Sequence, residues 1–375
     1  MVSPSRFSRR ALLGSVAAAV GCRRAPKATG YSGYCFVANQ VSHSLAVVDL
    51  SNFRRWPAIP LDTAPSAVLA HPSRPKAFVL APQTGTVYEI DAISLSVSGR
   101  IHASNQAVAM KLAPSADALW VLSRDPAGLI EIPLDSLRPR RRIRLAAAPD
   151  DFDLSSHGRA VIASQQARTL TLALLEHATV ERTIPTGAEP SGVCFQWDGK
   201  QLLAASRRDR SVTIFQAATG KKVVRLPLPF EPRRFCFNSD GGQLFLTGDG
   251  MDAVVIVYPY QTEVAETVLA GRAPDGMAVT DTYLLVTNPA TNSVTVLNID
   301  DRKLVSVVSV GQEPREISIT PDKQYALVLN EKSGDLAVIR LYSLTEPRAH
   351  KYKSASLFTL IPVGEKPVSA AVVKL

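Results

Sequence analysis

The sequence predicts an all-β fold, a β-propeller of eight four-stranded blades, and three observations point to it. Short apolar runs alternate with turn residues along most of the chain. These runs fall into units of about forty residues, each unit containing four runs. The units recur at a nearly constant spacing, which is the signature of a repeat array, and four antiparallel strands in one such unit form a propeller blade.

The clearest unit spans residues 271–311 and includes the runs Leu284–Asn288 and Ser293–Asn298. In the second of these runs, Val294 and Val296 alternate with polar residues. This two-residue period is that of a β-strand, and the unit shows no 3.6-residue apolar stripe. The unit is therefore expected to be built from strands alone.

A proline in the turn before the first strand marks each unit. Successive markers lie 40 to 42 residues apart, except that the last two are 53 apart. The extra residues fall near 343–355 and predict a loop on the last full blade. Four of the markers are preceded, three residues earlier, by a glycine. The marker positions are Pro65, Ala107 (in the one unit that lacks the proline), Pro149, Pro190, Pro232, Pro274, Pro314 and Pro367, and the glycines are Gly187, Gly271, Gly311 and Gly364.

The two ends of the repeat array complement each other. Tyr34–Asn39 and Leu45–Asp49 resemble second and third strands without a first strand before them, whereas Val368–Lys374 resembles a first strand with nothing after it. Joined in one blade, they would close the ring and remove two sheet edges. Seven blades is the alternative, if the least regular unit, residues 149–189, does not form.

Residues 1–21 have the character of a signal peptide. Arg9 and Arg10 form a twin-arginine pair ahead of an uncharged run, Ala11–Gly21, that is too short to span a bilayer. This pattern resembles a Tat export signal, with an ordinary Sec signal as the alternative. Export would place the protein on the periplasmic side of a bacterial membrane.

Cys22 ends a stretch, residues 19–22, that resembles a lipoprotein processing box, so we expect it to carry a lipid anchor. The alternative is cleavage nearby, with Cys22 lost or left as a free thiol. Residues 22–33 would then be a tether and residues 34–375 a single propeller domain. The formal charge of the whole chain is +9, of which three arginines would leave with the signal peptide. This modest excess does not indicate a nucleic-acid partner.

Two segments carry a family resemblance. Leu285–Asn288 with Ser293–Asn298, and Phe36–Gln40 with Ser44–Asp49, resemble the YVTN-type β-propeller repeats of bacterial periplasmic and archaeal surface-layer proteins. The resemblance implies the propeller fold across nearly all of residues 34–375. Similar repeats occur in non-catalytic exported proteins, in lactonase-like propellers and in eight-bladed domains that handle haem d1, so it leaves the function open.

Motifs that carry chemistry are missing from the sequence. It has no Cys-x-x-Cys-His, His-Glu-x-x-His or Gly-x-Ser-x-Gly motif and no phosphate-binding glycine loop. Its six histidines occupy different repeat positions. We therefore predict no cofactor and no metal, and we expect Cys194 and Cys236 to be free thiols rather than a disulfide.

The architecture nevertheless suggests a binding site. First strands line the central channel of a propeller, so the residues after the marker prolines should converge at one mouth. They are Ser66, Val108, Asp150, Ser191, Arg233, Asp275, Arg315 and Val368. Arginines and carboxylates in such a funnel could bind a polar or anionic ligand. The candidate ligand-binding residues are Asp150, Asp153, Arg233, Asp275 and Arg315.

Three other interpretations of these charges stay open. The first is that the charged residues only pair with one another across the mouth. The second is a metal held by Asp150, Asp153 and Asp275. The third concerns the basic segment 138–144, which would either guard an outer strand against edge pairing or contact an acidic partner.

The sequence thus predicts an exported, lipid-anchored propeller that acts as a non-catalytic binding or scaffolding module. Its partner would be a protein or a small ligand at the funnel mouth. The alternative is a propeller enzyme or cofactor-handling protein that uses the charged funnel.

Overall fold

The computed structural model describes residues 30–345 and 356–375. The predicted signal peptide, Cys22, most of the tether and most of the loop predicted near 343–355 lie outside these residues. Within them, no helix is both long enough and apolar enough to cross a membrane.

Eight antiparallel four-stranded sheets form the ring, and we number them as blades in chain order. Blade 1 contains β1 (Gly33–Asn39), β2 (Ser44–Asp49), β3 (Arg54–Pro60) and β32 (Pro367–Lys374); blade 2 contains β4 (Ala67–Ala70), β5 (Lys76–Ala81), β6 (Thr86–Asp91) and β7 (Ser96–His102); blade 3 contains β8 (Gln106–Leu112), β9 (Ala118–Asp125), β10 (Ala127–Pro133) and β11 (Arg141–Arg144); blade 4 contains β12 (Asp151–Leu154), β13 (Arg159–Ser164), β14 (Thr169–Leu174) and β15 (Thr179–Pro185).

The second half of the ring repeats this arrangement. Blade 5 contains β16 (Gly192–Phe195), β17 (Gln201–Ser206), β18 (Ser211–Gln216) and β19 (Lys222–Pro227); blade 6 contains β20 (Glu231–Phe237), β21 (Leu244–Asp249), β22 (Ala253–Tyr258) and β23 (Glu263–Leu269); blade 7 contains β24 (Met277–Val279), β25 (Tyr283–Asn288), β26 (Ser293–Asn298) and β27 (Leu304–Ser309); blade 8 contains β28 (Pro314–Ile319), β29 (Tyr325–Asn330), β30 (Asp335–Arg340) and β31 (Leu357–Pro362). Single 3-10 turns form at Pro82–Thr84 and Pro289–Thr291, and one turn of α-helix, Tyr342–Thr345, lies between β30 and β31.

The ring closes through blade 1. Its strand order is β3-β2-β1-β32, and β1 pairs antiparallel with β32 from Gly33 opposite Lys374 to Asn39 opposite Pro367. The predicted eight-bladed fold and its shared closing blade are confirmed. The unit 149–189 forms a complete sheet, blade 4, so the seven-blade alternative is wrong.

The core is divided among the contacts between blades. Each of the eight apolar clusters of the described chain joins two neighbouring blades. In β1, Cys35 and Val37 face blade 8, whereas Phe36 and Ala38 face blade 2. Both faces of a second strand are therefore buried, which explains why these strands are apolar runs rather than alternating ones.

The glycine that precedes several marker prolines has a steric cause. A Cβ built on Gly311 would lie 2.6 Å from Nδ2 of Asn330, the last residue of β29 in the same blade. Gly271 meets Asn288 and Gly364 meets Asn39 in the same way. The asparagine side chain is fully buried in each case, and Asn39 Nδ2 donates to the Val363 carbonyl at 3.1 Å. The loop before the first strand is thus packed on the end of the second.

The basic segment 138–144 ends on the outer strand β11. Arg141 Nε donates to Oε2 of Glu131 at 2.6 Å, and Arg140 pairs with Oε1 of the same carboxylate at 3.2 Å. Glu131 is buried on β10, the adjacent strand of blade 3. Two arginines of the segment therefore hold the outer strand to its own blade.

We predict that Gly311→Ala destabilises the protein by about 1–3 kcal/mol, because the added methyl group would lie 2.5 Å from Ser333 Oγ and 2.6 Å from Asn330 Nδ2. The backbone at Gly311 does not require a left-handed conformation, so the loss would come from the clash. Urea unfolding of the full chain would measure it. In the double variant Gly311→Ala/Asn330→Ala the two losses should be less than additive, and strict additivity would contradict a direct contact.

Candidate functional site at the channel mouth

Two sets of loops form the mouth. One set runs from the fourth strand of a blade to the first strand of the next and contains the marker prolines; the other joins the second strand of a blade to the third. The antiparallel register brings both to one face, as when Pro314 on β28 lies opposite Asn330 at the end of β29. The side chains that meet at the mouth therefore come from two positions in every repeat.

Asp275 joins three consecutive blades. It precedes β24 in blade 7, and its side chain is only 6% exposed. Arg234 Nε of blade 6 donates to Asp275 Oδ1 at 3.3 Å, and Arg315 Nη1 of blade 8 donates to Asp275 Oδ2 at 3.1 Å. Thr247 Oγ1 donates to the Asp275 carbonyl at 2.6 Å. A buried carboxylate held by two guanidinium groups fixes the relative positions of these first strands.

Two carboxylates of the second loop set extend this network. Glu331, which directly follows β29, accepts from Arg315 Nε at 2.8 Å. Asp249, at the end of β21, is 3.1 Å from Arg233 and 2.9 Å from Arg207. The arginines that face the channel mouth in blades 6 and 8 are thus already paired.

A cavity of about 590 Å³ opens above this network. Its charged lining residues are Arg233, Asp249, Asp252, Asp275, Glu313 and Arg315. Four carboxylates face two guanidinium groups there, so the lining favours a cationic or hydrogen-bond-donating ligand over the anionic ligand that the sequence suggested. Pro274, Pro289 and Met251 add apolar surface.

Asp150 lies at a separate cavity of about 520 Å³ over blades 3 to 5. Arg124 Nη2 is 2.8 Å from its Oδ1, and the backbone N–H of Gln165 donates to its Oδ2 at 2.7 Å. Arg168 and Glu189 of the same cavity form an ion pair of 3.1 Å. Ion pairs thus form part of the lining of both cavities.

Asp153 lies inside the channel instead of at the mouth. Its Oδ1 is 2.6 Å from Lys111 Nζ, and its Oδ2 accepts from the Phe195 N–H at 2.8 Å. Its neighbour Asp151 accepts from the Val193 N–H at 2.9 Å. These two carboxylates satisfy the free edge of β16, the first strand of the next blade, so their role in the structure is to bridge blades 4 and 5.

Burial raises the pKa of two carboxyl groups in the channel. For Asp151, desolvation raises the pKa, and the hydrogen bond from Val193 and the charge of Lys111 oppose it in part. For Glu316, desolvation again raises the pKa, against the charge of Arg234. Cys194 and Cys236 are free thiols, as expected, and burial raises the pKa of both, that of Cys236 to about 12.

The five predicted site residues therefore do not form a single site. Arg233, Asp275 and Arg315 line one cavity, Asp150 lines another, and Asp153 bridges two first strands. The positions after the marker prolines do not include Asp249 and Glu331, which lie at the end of a second strand. The position at the end of the second strand recurs with the same period and would have revealed them.

The described part of the chain holds no group of three His, Cys, Asp or Glu side chains arranged to bind a metal ion. In particular, Asp150 and Asp275 line different cavities, and Asp153 lies in neither. The structure therefore lends no support to the three-aspartate metal site.

We predict that Asp275→Asn lowers the free energy of unfolding by about 1–2 kcal/mol, because it weakens two charged hydrogen bonds to guanidinium groups that are partly exposed. Asp249→Asn, at a half-exposed carboxylate that also contacts two arginines, is the matched control and should cost less than about 1 kcal/mol. Equal losses in chemical denaturation would show that Asp275 has no special role.

We predict that Asp151→Asn raises stability at neutral pH. Because folding raises the Asp151 pKa, the folded protein binds more protons between the unfolded and folded pKa values, and its stability falls as the pH rises through that range. The gain should vanish in acid, where the carboxyl group is protonated in both states. Asp91 is the control of opposite sign, since the Ser94 backbone N–H lowers its pKa, and Asp91→Asn should lose stability at neutral pH. Unfolding free energies measured across this pH range would reveal either sign.

Comparisons with known proteins agree with the fold. The family model described as "Lactonase, 7-bladed beta-propeller" matches residues 259–346, which include blade 7 and most of blade 8. No curated protein sequence matches the chain. Many solved structures do, among them Kuenenia stuttgartiensis hydrazine synthase (TM-score 0.59, 19% identity, 74% of this chain and 95% of that one). Another is the dihydro-heme d1 dehydrogenase NirN in complex with DHE (TM-score 0.76, 14% identity, 90% of this chain and 74% of that one). At these identities the likenesses establish that the chain is a β-propeller.

Proposed function

We propose that this propeller is a non-catalytic binding module whose ligand occupies the cavity over blades 6 to 8. The supporting observation is the network around Asp275, which holds a polar cavity of ligand size in a fixed shape. Preorganised groups lose little conformational entropy when a ligand binds. The arginines already hold carboxylates, so they serve to shape the site.

The ligand in this proposal presents a cationic group to the cavity. Asp252 accepts the Ala273 N–H at 2.9 Å and pairs with no cation of the described chain. Glu313 also lines the cavity, and none of the described groups donates to its carboxylate. An ammonium group of a small molecule, or a basic side chain of a partner protein, is the chemistry that these two carboxylates complement.

We also propose that the module is exported and anchored in a bacterial membrane through a lipid on Cys22. The proposed export rests on the twin-arginine pair, and the proposed anchor rests on the residues around Cys22. It places the binding cavity in the cell envelope, where a partner protein or a periplasmic small molecule would reach it.

Native mass spectrometry of the full protein purified from its own membrane tests the binding proposal. We expect a bound molecule or partner that is lost in the Asp252→Asn/Glu313→Gln variant. Glu189→Gln, which also replaces a carboxylate by an amide but at the other cavity, is the control and should retain it. A bound species that is lost only in the control would move the site to blades 3 to 5, and a bare polypeptide would contradict the proposal.

The alternative is an enzyme or cofactor-handling propeller, and one observation favours it. Glu316 lies in the channel beside Arg234 with a raised pKa, as general acids often do. The partial lactonase match and the structural similarity to a dihydro-heme d1 dehydrogenase point in the same direction. Lactone turnover that Glu316→Gln abolishes, or a coloured cofactor that co-purifies with the protein, would favour this alternative.

A further inference from the structure

The described chain begins on the face opposite the mouth. We call this face the base, and it consists of the loops between first and second strands and between third and fourth strands. Gly33 pairs with Lys374 at the base end of blade 1, and its carbonyl accepts the Leu50 N–H at 3.0 Å. Tyr31 is buried between blades 1 and 8, and this burial raises its pKa. The direction in which the chain leaves the ring is thus fixed by packing.

The length of the tether disfavours an orientation in which the mouth faces the same membrane. From Cys22 to Gly30, a fully extended chain spans at most about 29 Å. A seven-residue strand such as β1 is about 23 Å long. A tether that ran from the base to the mouth would use most of its length on the height of the ring alone. Little would remain for the path around the outer edge of the blades.

Large apolar side chains project from the loops of the base. Ile93 in blade 2 is 75% exposed, Trp197 in blade 5 is 67% exposed and Tyr260 in blade 6 is 53% exposed. On the mouth side of the described chain, Val41 is 54% exposed and Leu269, at the mouth end of β23, is 78% exposed. The exposed Trp and Tyr side chains of the loops, by contrast, lie on the base. Trp and Tyr are enriched at membrane–water interfaces, where the ring is partly buried and its polar atom stays hydrated.

Blade 5 adds positive charge beside Trp197. Lys200, Lys221 and Lys222 are all exposed at its base, where Asp198 is the opposing carboxylate. Lysines near a surface are attracted to anionic lipid headgroups by about 1 kcal/mol each. The rest of the base carries charges of both signs, so its exposed apolar side chains favour a membrane contact more than its charge does.

We infer that the base lies on the bilayer that holds the anchor, with Trp197, Tyr260 and Ile93 in the interface and the mouth directed away from the membrane. The inference rests on the proposed anchor at Cys22. A lipid anchor holds only one point of the protein at the membrane, and a second contact fixes the orientation of the domain. The base would supply that contact and keep the cavity accessible to soluble partners.

Two matched cysteine variants test the orientation. Ile93→Cys lies on the base and Val41→Cys on the mouth, at similarly exposed loop positions. The lipidated full chain would be labelled with an environment-sensitive fluorophore and bound to vesicles of phosphatidylethanolamine and phosphatidylglycerol that contain brominated lipid. Burial raises the pKa of the thiols of Cys35 and Cys236 to about 12, so these native cysteines should react poorly at neutral pH.

We expect a blue shift and strong quenching of the label at position 93, and neither effect at position 41. Intrinsic fluorescence gives a second readout, since quenching should be lost in Trp197→Phe and kept in Trp56→Phe. Quenching at position 41 alone, at both positions or at neither would overturn the inference for a protein that carries the lipid. The mass of the N-terminal peptide separates the two proposals: an unmodified Cys22 defeats the anchor and, with it, the inference.

Discussion

Apolar packing between the faces of neighbouring blades is the interaction on which the rest of the structure depends. No blade has a core of its own, because the middle strands of each sheet turn alternate residues toward the two adjacent sheets. A sheet of this kind is stable only with a neighbour on each side. Every blade therefore needs a closed ring, and the mouth, the channel and the base are surfaces that closure creates.

The fold could be predicted from the sequence because every blade repeats the same pattern of four apolar strands and intervening turns in about forty residues. The marker prolines gave the period, and the incomplete units at the two ends indicated the shared blade. The irregular unit 149–189 suggested the alternative of seven blades. In the structure, Phe152 and Ile162 of this unit pack as the equivalent residues of other blades do. Its apolar pattern was intact even where its turn residues differed.

The candidate site was predictable only in part. Repeat position correctly indicated that residues after the marker prolines gather near the axis, and Asp275 is the centre of the network there. Which cavity each residue lines depends on partners contributed by other loops. Asp150 forms an ion pair with Arg124, and Asp153 forms one with Lys111, so the two aspartates belong to different sets of contacts. Such pairings depend on how far side chains reach from one blade to the next. The spacing of one repeat position in the sequence does not predict that.

Ring closure has a consequence for how the chain reaches its native state. Asn39 and the Val363 carbonyl, which touch in blade 1, are separated by 324 residues. Every other strand pair of the described chain joins strands that are consecutive in sequence. Seven sheets can therefore assemble locally, while the eighth waits for two distant segments to meet. Until they do, β1 and β32 present unpaired edges and apolar faces, which are the features that promote association between chains. The closing blade is thus the place where folding competes most directly with aggregation.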